Sequence, residues 1–214
     1  VVKASIRVVK KPHVIISAIE HPAIMELVPE IKRLGGEVTV VPVDADGLVS
    51  PSSIQKALKS STVLVSIMYA NNEVGTIQPI KEIAKTIRHS KKSKNSKLTT
   101  NNYPYFHTDA SQAANYCNVN VLQLGIDLMT LDGSKIYGPK GIGMLWVKRD
   151  TPIESIIFGG GQENGLRSGT ENIPYIIGFA KALSIVSKSA ESESKRLSKL
   201  RDSAIRAILK NHGG

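Results

Sequence analysis

IDLMTLDGSKIYGPKGIGMLWV, Ile126 to Val147, sets two short apolar runs on either side of a polar turn that carries a lysine, Lys135. IDLMTLD (Ile126 to Asp132) predicts one strand and GIGMLWV (Gly141 to Val147) another, with a glycine–proline turn between them. The same kind of run recurs upstream. VIISA (Val14 to Ala18), EVTVVPV (Glu37 to Val43), TVLVSIMY (Thr62 to Tyr69) and YFHTD (Tyr105 to Asp109) each predict a buried strand. Helical segments alternate with them. Pro22 to Leu34 has a proline suited to a first turn, apolar residues Ile24, Leu27, Val28 and Ile31 at helical spacing, and Gly35-Gly36 as a stop. Ser53 to Leu58, Ile80 to Ile87 and a short SQAANY segment are the other predicted helices before the lysine. Near-continuous apolar strands alternating with helices predict an α/β fold, a mostly parallel sheet flanked by helices on both faces.

After Gly169 the pattern becomes helical. Ile173 to Val186 predicts one helix, SKSAESES (Ser187 to Ser194) is polar, and Leu197, Leu200, Ala204 and Ile208 then recur at helical spacing. This tail predicts a basic amphipathic helix that packs against protein rather than on a membrane. The domain reading is therefore 1–186 for the main unit and 187–214 for the tail helix.

Composition bounds the function. The 214 residues suffice for one large domain, and the 41 % apolar content is ordinary for a soluble globular protein. No uninterrupted apolar stretch is long enough to span a membrane, and the mixed, basic N-terminus shows no signal-peptide cleavage site. The single cysteine, Cys117, excludes an internal disulfide and a multi-cysteine metal site, and reads as an ordinary near-core or loop thiol in a cytoplasmic protein. The net charge of +10 is partly local, with five positive and no negative residues from Arg88 to Tyr103. That run reads as a solvated surface insertion, near 90–103. No nucleic-acid-binding signature accompanies it, so nucleic acid is not an expected partner.

In parallel sheets, ligands collect at the C-terminal ends of the strands. His21 follows the first predicted strand, and Asn71, Asn72 and Glu73 follow the third. Asp109, Ser111 and Gln112 close YFHTD, and Asp132, Ser134 and Lys135 follow the fifth strand. A lysine at such a rim is a surface charge, a phosphate counter-charge, or an amine that forms an imine with a carbonyl. An aspartate there caps a helix or pairs with a protonated pyridine nitrogen. A histidine caps a helix start or lies over an aromatic ring. The residues alone leave each pair of roles open. The glycine-bearing loop FGGGQENGLRSGT (Phe158 to Thr170) could bind an anion, yet neither a Walker A motif nor a dinucleotide fingerprint is present.

Taken together, SAIEHPA, ANNEVGTIQPI, HTDASQ, SKIYGPKGIG and GGGQENGLRSGT resemble the cysteine desulfurases, the NifS/IscS-like group within the class V aminotransferases. The resemblance implies the large domain of a pyridoxal phosphate (PLP) enzyme of fold type I, cut at both ends, with a basic insertion near 90–103. The tail helix would lead toward a small C-terminal domain. The implied activity converts L-cysteine to L-alanine and transfers sulfur as a persulfide for iron–sulfur cluster or thio-cofactor assembly, in a homodimer with shared sites. Carried over by motif, Lys135 matches the Schiff-base lysine, and Asp109 the partner of the pyridinium nitrogen. Gln112 matches a donor to the ring phenolate oxygen, and His21 the imidazole stacked on the ring, with a part in proton transfer. Asn72 matches the asparagine near the ring and the substrate carboxylate, Ser134 a phosphate-binding position, and Thr170 a residue reaching the phosphate of the neighbouring copy.

The chain departs from the family pattern at two places beside the lysine and the third strand. Where the family reads Ser-x-His-Lys, this chain reads Asp132-Gly133-Ser134-Lys135, which sets a carboxylate where a phosphate donor is expected. Tyr69 stands where a histidine is common. The family's phosphate-binding threonine would precede Val1. Its sulfur-accepting cysteine and substrate-gripping arginine would follow Gly214. A scaffold or sulfur-acceptor protein is a further implied partner. The alternatives to a working desulfurase are a non-catalytic truncated or split product that dimerises or docks on a scaffold, and a selenocysteine lyase or other class V enzyme.

Overall fold

The computed structural model describes residues 9–92 and 104–212. Residues 1–8 and most of the predicted basic insertion lie outside the described residues. Six strands form one sheet in the order β2-β1-β3-β4-β5-β6. They are β1 (His13–Ser17), β2 (Glu37–Val41), β3 (Thr62–Ser66), β4 (Tyr105–Asp109), β5 (Leu128–Asp132) and β6 (Gly143–Val147). The first five run parallel, and β6 pairs antiparallel with β5 through the tight turn that carries Lys135. All six predicted strands are present, and the sheet is mostly parallel as expected.

The connections are α1 (Pro22–Met25) and α2 (Val28–Arg33) between β1 and β2, then α3 (Pro51–Ala57), α4 (Ile80–Lys92) and α5 (Val121–Leu124). The predicted single helix from Pro22 to Leu34 is two short ones. Pro29 has no N–H to donate back to the Met25 carbonyl, and it occupies the first turn of the next helix, where no such donor is needed, so the first helix ends at Met25 and α2 starts at Val28. The predicted SQAANY helix is a set of tight turns, Ala113 N to Ala110 O and Tyr116 N to Ala113 O. The last helix, α6 (Ile173–His212), runs without interruption through the polar Ser187–Ser194 stretch.

Each face of the sheet carries its own apolar layer. On one, Ile15, Val65, Phe106, Met129 and Leu131 pack with Ile54 of α3, Ile83 and Ile87 of α4, and Phe179 and Val186 of α6. On the other, Val14, Ile16 and Leu128 meet Ile24, Val28 and Ile31 of α1 and α2. Helices thus cover both faces, the arrangement that parallel strands require. The far half of α6 is open: Leu200, Ile205, Ile208 and Leu209 are exposed. The expected protein contact for this stripe is not made by any described residue. No helix among the described residues is long and apolar enough to cross a membrane.

The strand order fixes where a ligand can sit. The chain leaves β1 toward β2 on one side, then crosses back past β1 to β3 and continues outward through β4 and β5. Connections diverge between β1 and β3, so a crevice opens at their C-terminal ends.

Candidate active site

A cavity of about 610 Å³ occupies that crevice and extends along the rim to β6. Six of the predicted site residues line it: His21, Asn72, Asp109, Gln112, Ser134 and Lys135. They come from the ends of β1, β3, β4 and β5, residues far apart in sequence that only the parallel sheet gathers. Thr170, the seventh, is not there. It is exposed beyond the glycine-rich loop, next to Gly169, whose N–H donates to Gln162 Oε1 at 3.2 Å.

Lys135 sits in a 3₁₀ turn, Gly133–Ile136, that follows β5. Asp132 builds this turn. Its Oδ1 accepts from Ser134 N at 2.8 Å and from Ser134 Oγ at 2.9 Å. The carboxylate that the sequence sets beside an expected phosphate is thus engaged as a cap, and the Ser134 proton is directed to it. Gly133 is required because a Cβ there would meet Pro139 O at 2.8 Å and Ile142 O at 2.9 Å. Tyr137 closes the turn in the left-handed region at φ 60°, uncommon for a residue with a side chain. Buried Ile136 anchors the turn from beneath while Lys135 stays exposed to the cavity.

Asp109 ends β4, where its Oδ1 accepts the Ser111 N–H at 3.0 Å. That bond fixes the carboxylate at the floor of the rim. His21 caps α1, with Nδ1 accepting from Ala23 N at 3.1 Å. The same bond sets the proton on Nε2 of the neutral ring. The capping role and the cavity position therefore coexist. Asn71 shapes the loop after β3: its Oδ1 accepts from Glu73 N and Val74 N, and its Nδ2 donates to Ile19 O. This ties the β3 loop, with Asn72, to the β1 loop, with His21.

Two polar residues near the site lie outside the sequence-based set. Glu20, only 7 % exposed, accepts from Ser17 Oγ at 2.5 Å and from Met68 N at 2.7 Å, joining the ends of β1 and β3. Burial pushes its carboxyl up to about 7, and the nearby Asp109 charge acts in the same direction. Its place in the sequence, three residues past β1, carries no spacing signal that singles it out. Asn115, 5 % exposed, reaches the Lys135 backbone. Beneath the rim, His107 is held between Ser66 Oγ and Thr130 Oγ1, and burial depresses it to about 4. Cys117 is half-buried outside the cavity, and burial raises its thiol.

Chemically the cavity combines a primary amine, a carboxylate on a strand end, an imidazole and two amides within one polar crevice. Such a set offers one group able to condense with a carbonyl, together with hydrogen-bond donors and acceptors of both kinds.

Comparison with known proteins identifies relatives of the chain. The sequence profile described as aminotransferase class-V matches residues 1–214. The chain is 43 % identical over 201 residues to the cysteine desulfurase IscS of Dictyoglomus turgidum, covering 94 % of this chain and 48 % of that protein. It is 38 % identical over 201 residues to the mitochondrial cysteine desulfurase of Saccharomyces cerevisiae, covering 93 % of this chain and 38 % of that protein. Among solved structures, a NifS-like protein superposes with a TM-score of 0.85 at 35 % identity, over 97 % of this chain and 54 % of that one. SspA, solved in complex with cysteine, superposes with a TM-score of 0.74 at 36 % identity, over 85 % of this chain and 50 % of that one. The chain spans about half the length of the bacterial and archaeal curated relatives it matches.

Proposed function

The chain belongs to the class V aminotransferase family, and from that premise we propose that the protein carrying it is a PLP-dependent cysteine desulfurase. It would convert L-cysteine to L-alanine and pass the sulfur on as a persulfide to an acceptor protein. The observation that carries this reading is the single cavity that unites Lys135 with Asp109, Gln112 and His21. The relatives named cysteine desulfurase support the choice of reaction.

The residues fit the cofactor on the chemistry of their donor set. PLP, when bound, supplies an electron sink for the bond-breaking step. Lys135 Nζ would hold its aldehyde by condensation with loss of water. Asp109, fixed by the Ser111 N–H, would accept the proton of the ring nitrogen through a carboxylate oxygen. Gln112 would donate its side-chain N–H to the ring phenolate oxygen. His21 would cover the ring face. With Nδ1 engaged by Ala23 N, its Nε2 is left to exchange protons. Asn72 would orient the substrate carboxylate. Lys135 Nζ, when not engaged with the cofactor, would be an amine able to carry protons in the cavity.

Ser134 would contact the phosphate through its hydroxyl lone-pair side only if a protonated partner faces it, because its own proton goes to Asp132. Thr170, exposed and outside this cavity, would serve the phosphate of a neighbouring copy in a homodimer. Exposed Ile156, Phe158, Ile173 and Ile177 flank its loop and are consistent with such an interface.

Adding PLP to the intact protein is expected to produce an absorbance near the visible edge that Lys135→Ala abolishes. Equal PLP binding by wild type and variant would sink the assignment of Lys135. The intact protein should also form alanine and sulfide from cysteine in the presence of a thiol reductant.

A further inference from the structure

We propose that Asn115 is a positioning residue for Lys135, its side-chain amide clamping the lysine's turn to the loop that carries Asp109 and Gln112. The inference rests on the reading of Lys135 as the residue that captures PLP. It begins with a carbonyl. In a helical turn the Lys135 C=O would accept an N–H from three or four residues on. Three residues on is Gly138, whose N–H already donates to Gly133 O at 2.9 Å. Four residues on is Pro139, which has no N–H. The sequence KIYGP thus deprives the Lys135 carbonyl of both local donors. Asn115 Nδ2 supplies one from another loop, donating to Lys135 O at 2.5 Å.

The place of this bond in the fold gives it a functional meaning. Asn115 lies six residues beyond Asp109 and three beyond Gln112, in the turns that follow β4. Lys135 lies in the turn that follows the adjacent strand β5. One ring has to meet Asp109 and Gln112 on its nitrogen and oxygen sides and Lys135 on its aldehyde. The separation of these two loops therefore sets whether all three contacts can be made together. The strands pair only up to Asp109 and Thr130, so beyond those residues the ladder no longer fixes the loops. The Asn115 bond does. The neighbouring side chains tell the same story: hydrogen bonding with Tyr137 and then burial raise the Tyr116 phenol, so the two loops approach a second time. Asn115 Oδ1 is buried without a hydrogen-bond partner, and the Asn115 side chain also hydrogen-bonds the Tyr116 phenol, within the same junction between the two loops.

Two variants test the proposal in the intact protein. Asn115→Leu keeps the volume but removes the donor. Asn115→Asp puts an acceptor against the carbonyl until the carboxyl is protonated. The rate of PLP capture, followed by absorbance and by borohydride trapping at Lys135, is expected to fall about tenfold in both, the cost of orphaning a partly buried carbonyl. In the cofactor-free protein, hydrogen exchange at Gly133, Ser134 and Lys135 should accelerate by a similar factor while the β1 and β3 amides keep wild-type rates. The deficit of the Asp variant relative to wild type should shrink as pH falls through its carboxyl titration, and that of the Leu variant should not. Wild-type capture rates in both variants, or exchange that accelerates across the whole sheet, overturns the proposal. If wild type itself captures no PLP, the functional reading fails, and the exchange data alone still decide whether Asn115 holds the turn.

Discussion

Asp132 places a negative charge on the wall of the cavity while capping the turn that presents Lys135. The two roles can be separated. Asn at this position keeps an acceptor for Ser134 N and Ser134 Oγ but removes the charge. Asp132→Asn is therefore expected to tighten PLP binding about fivefold, on the order of 1 kcal/mol for one unit charge near a phosphate in a solvated site. A PLP titration followed by absorbance measures it. Weaker binding, comparable to that of Asp132→Ala, would mean that the carboxylate itself serves the cofactor. At this scale the sequence was informative where a chemistry-bearing residue ends a strand, as Asp109 does, or follows one within four positions, as His21 and Lys135 do. It was silent on Asn115 and Glu20, because their partners are the backbone of other loops: the Lys135 carbonyl and the Met68 amide. Such partners depend on how loops approach, which local spacing does not encode.

Helices behaved differently from strands. Strand positions followed from apolar runs, since a strand buried on both faces has little freedom to be anything else. Pro29 split one predicted helix, a local effect outweighed in the reading by good 3.6-residue periodicity. The polar Ser187–Ser194 stretch did not end α6, because serine and glutamate on a solvent face cost a helix little. What positions α6 is a close approach. Gly178 lies against Pro139 of the lysine-bearing loop, where a Cβ would come within 2.7 Å of Pro139 Cγ. Gly178→Ala is expected to push α6 and that loop apart. The cost should be about 1–3 kcal/mol, as for other overpacked contacts, read as a fall in thermal midpoint. An unchanged midpoint would show that the helix and the loop shift at no cost and that α6 does not brace the Lys135 turn.

For the molecule as a whole, the α/β class and the gathering of strand ends were legible, but the order β2-β1-β3 was not, because it depends on which way each crossover turns. Among the described residues, that order buries two histidines and a carboxyl group whose shifts act in opposite directions on acid stability. His13, bonded to Thr62 Oγ1 and Thr39 Oγ1, and His107 are both held neutral, depressed by burial from 6.5 to about 4. As pH falls from 6.5 toward 4, the unfolded chain takes up these two protons and the folded chain does not, so stability is lost in that window. Glu20 acts oppositely. Its carboxyl is raised from 4.5 to about 7, so the stability it contributes is present below 4.5 and is lost as pH rises to 7. Between 4.5 and 6.5, two protons favour unfolding in acid and one opposes it. Stability should therefore rise with pH at up to about 1.4 kcal/mol per unit, the value of one proton. The exposed ion pairs, such as Lys195 with Glu191, add little to this. Glu20→Gln keeps an acceptor for Ser17 and Met68 but removes the opposing titration. Its stability, measured by denaturant unfolding at pH 4.5 to 7, should rise about twice as steeply as that of wild type up to 6.5 and then level off. Parallel profiles for the two proteins would show that Glu20 is already ionised in the folded state, and that the β1 and β3 loops are joined by a buried charge.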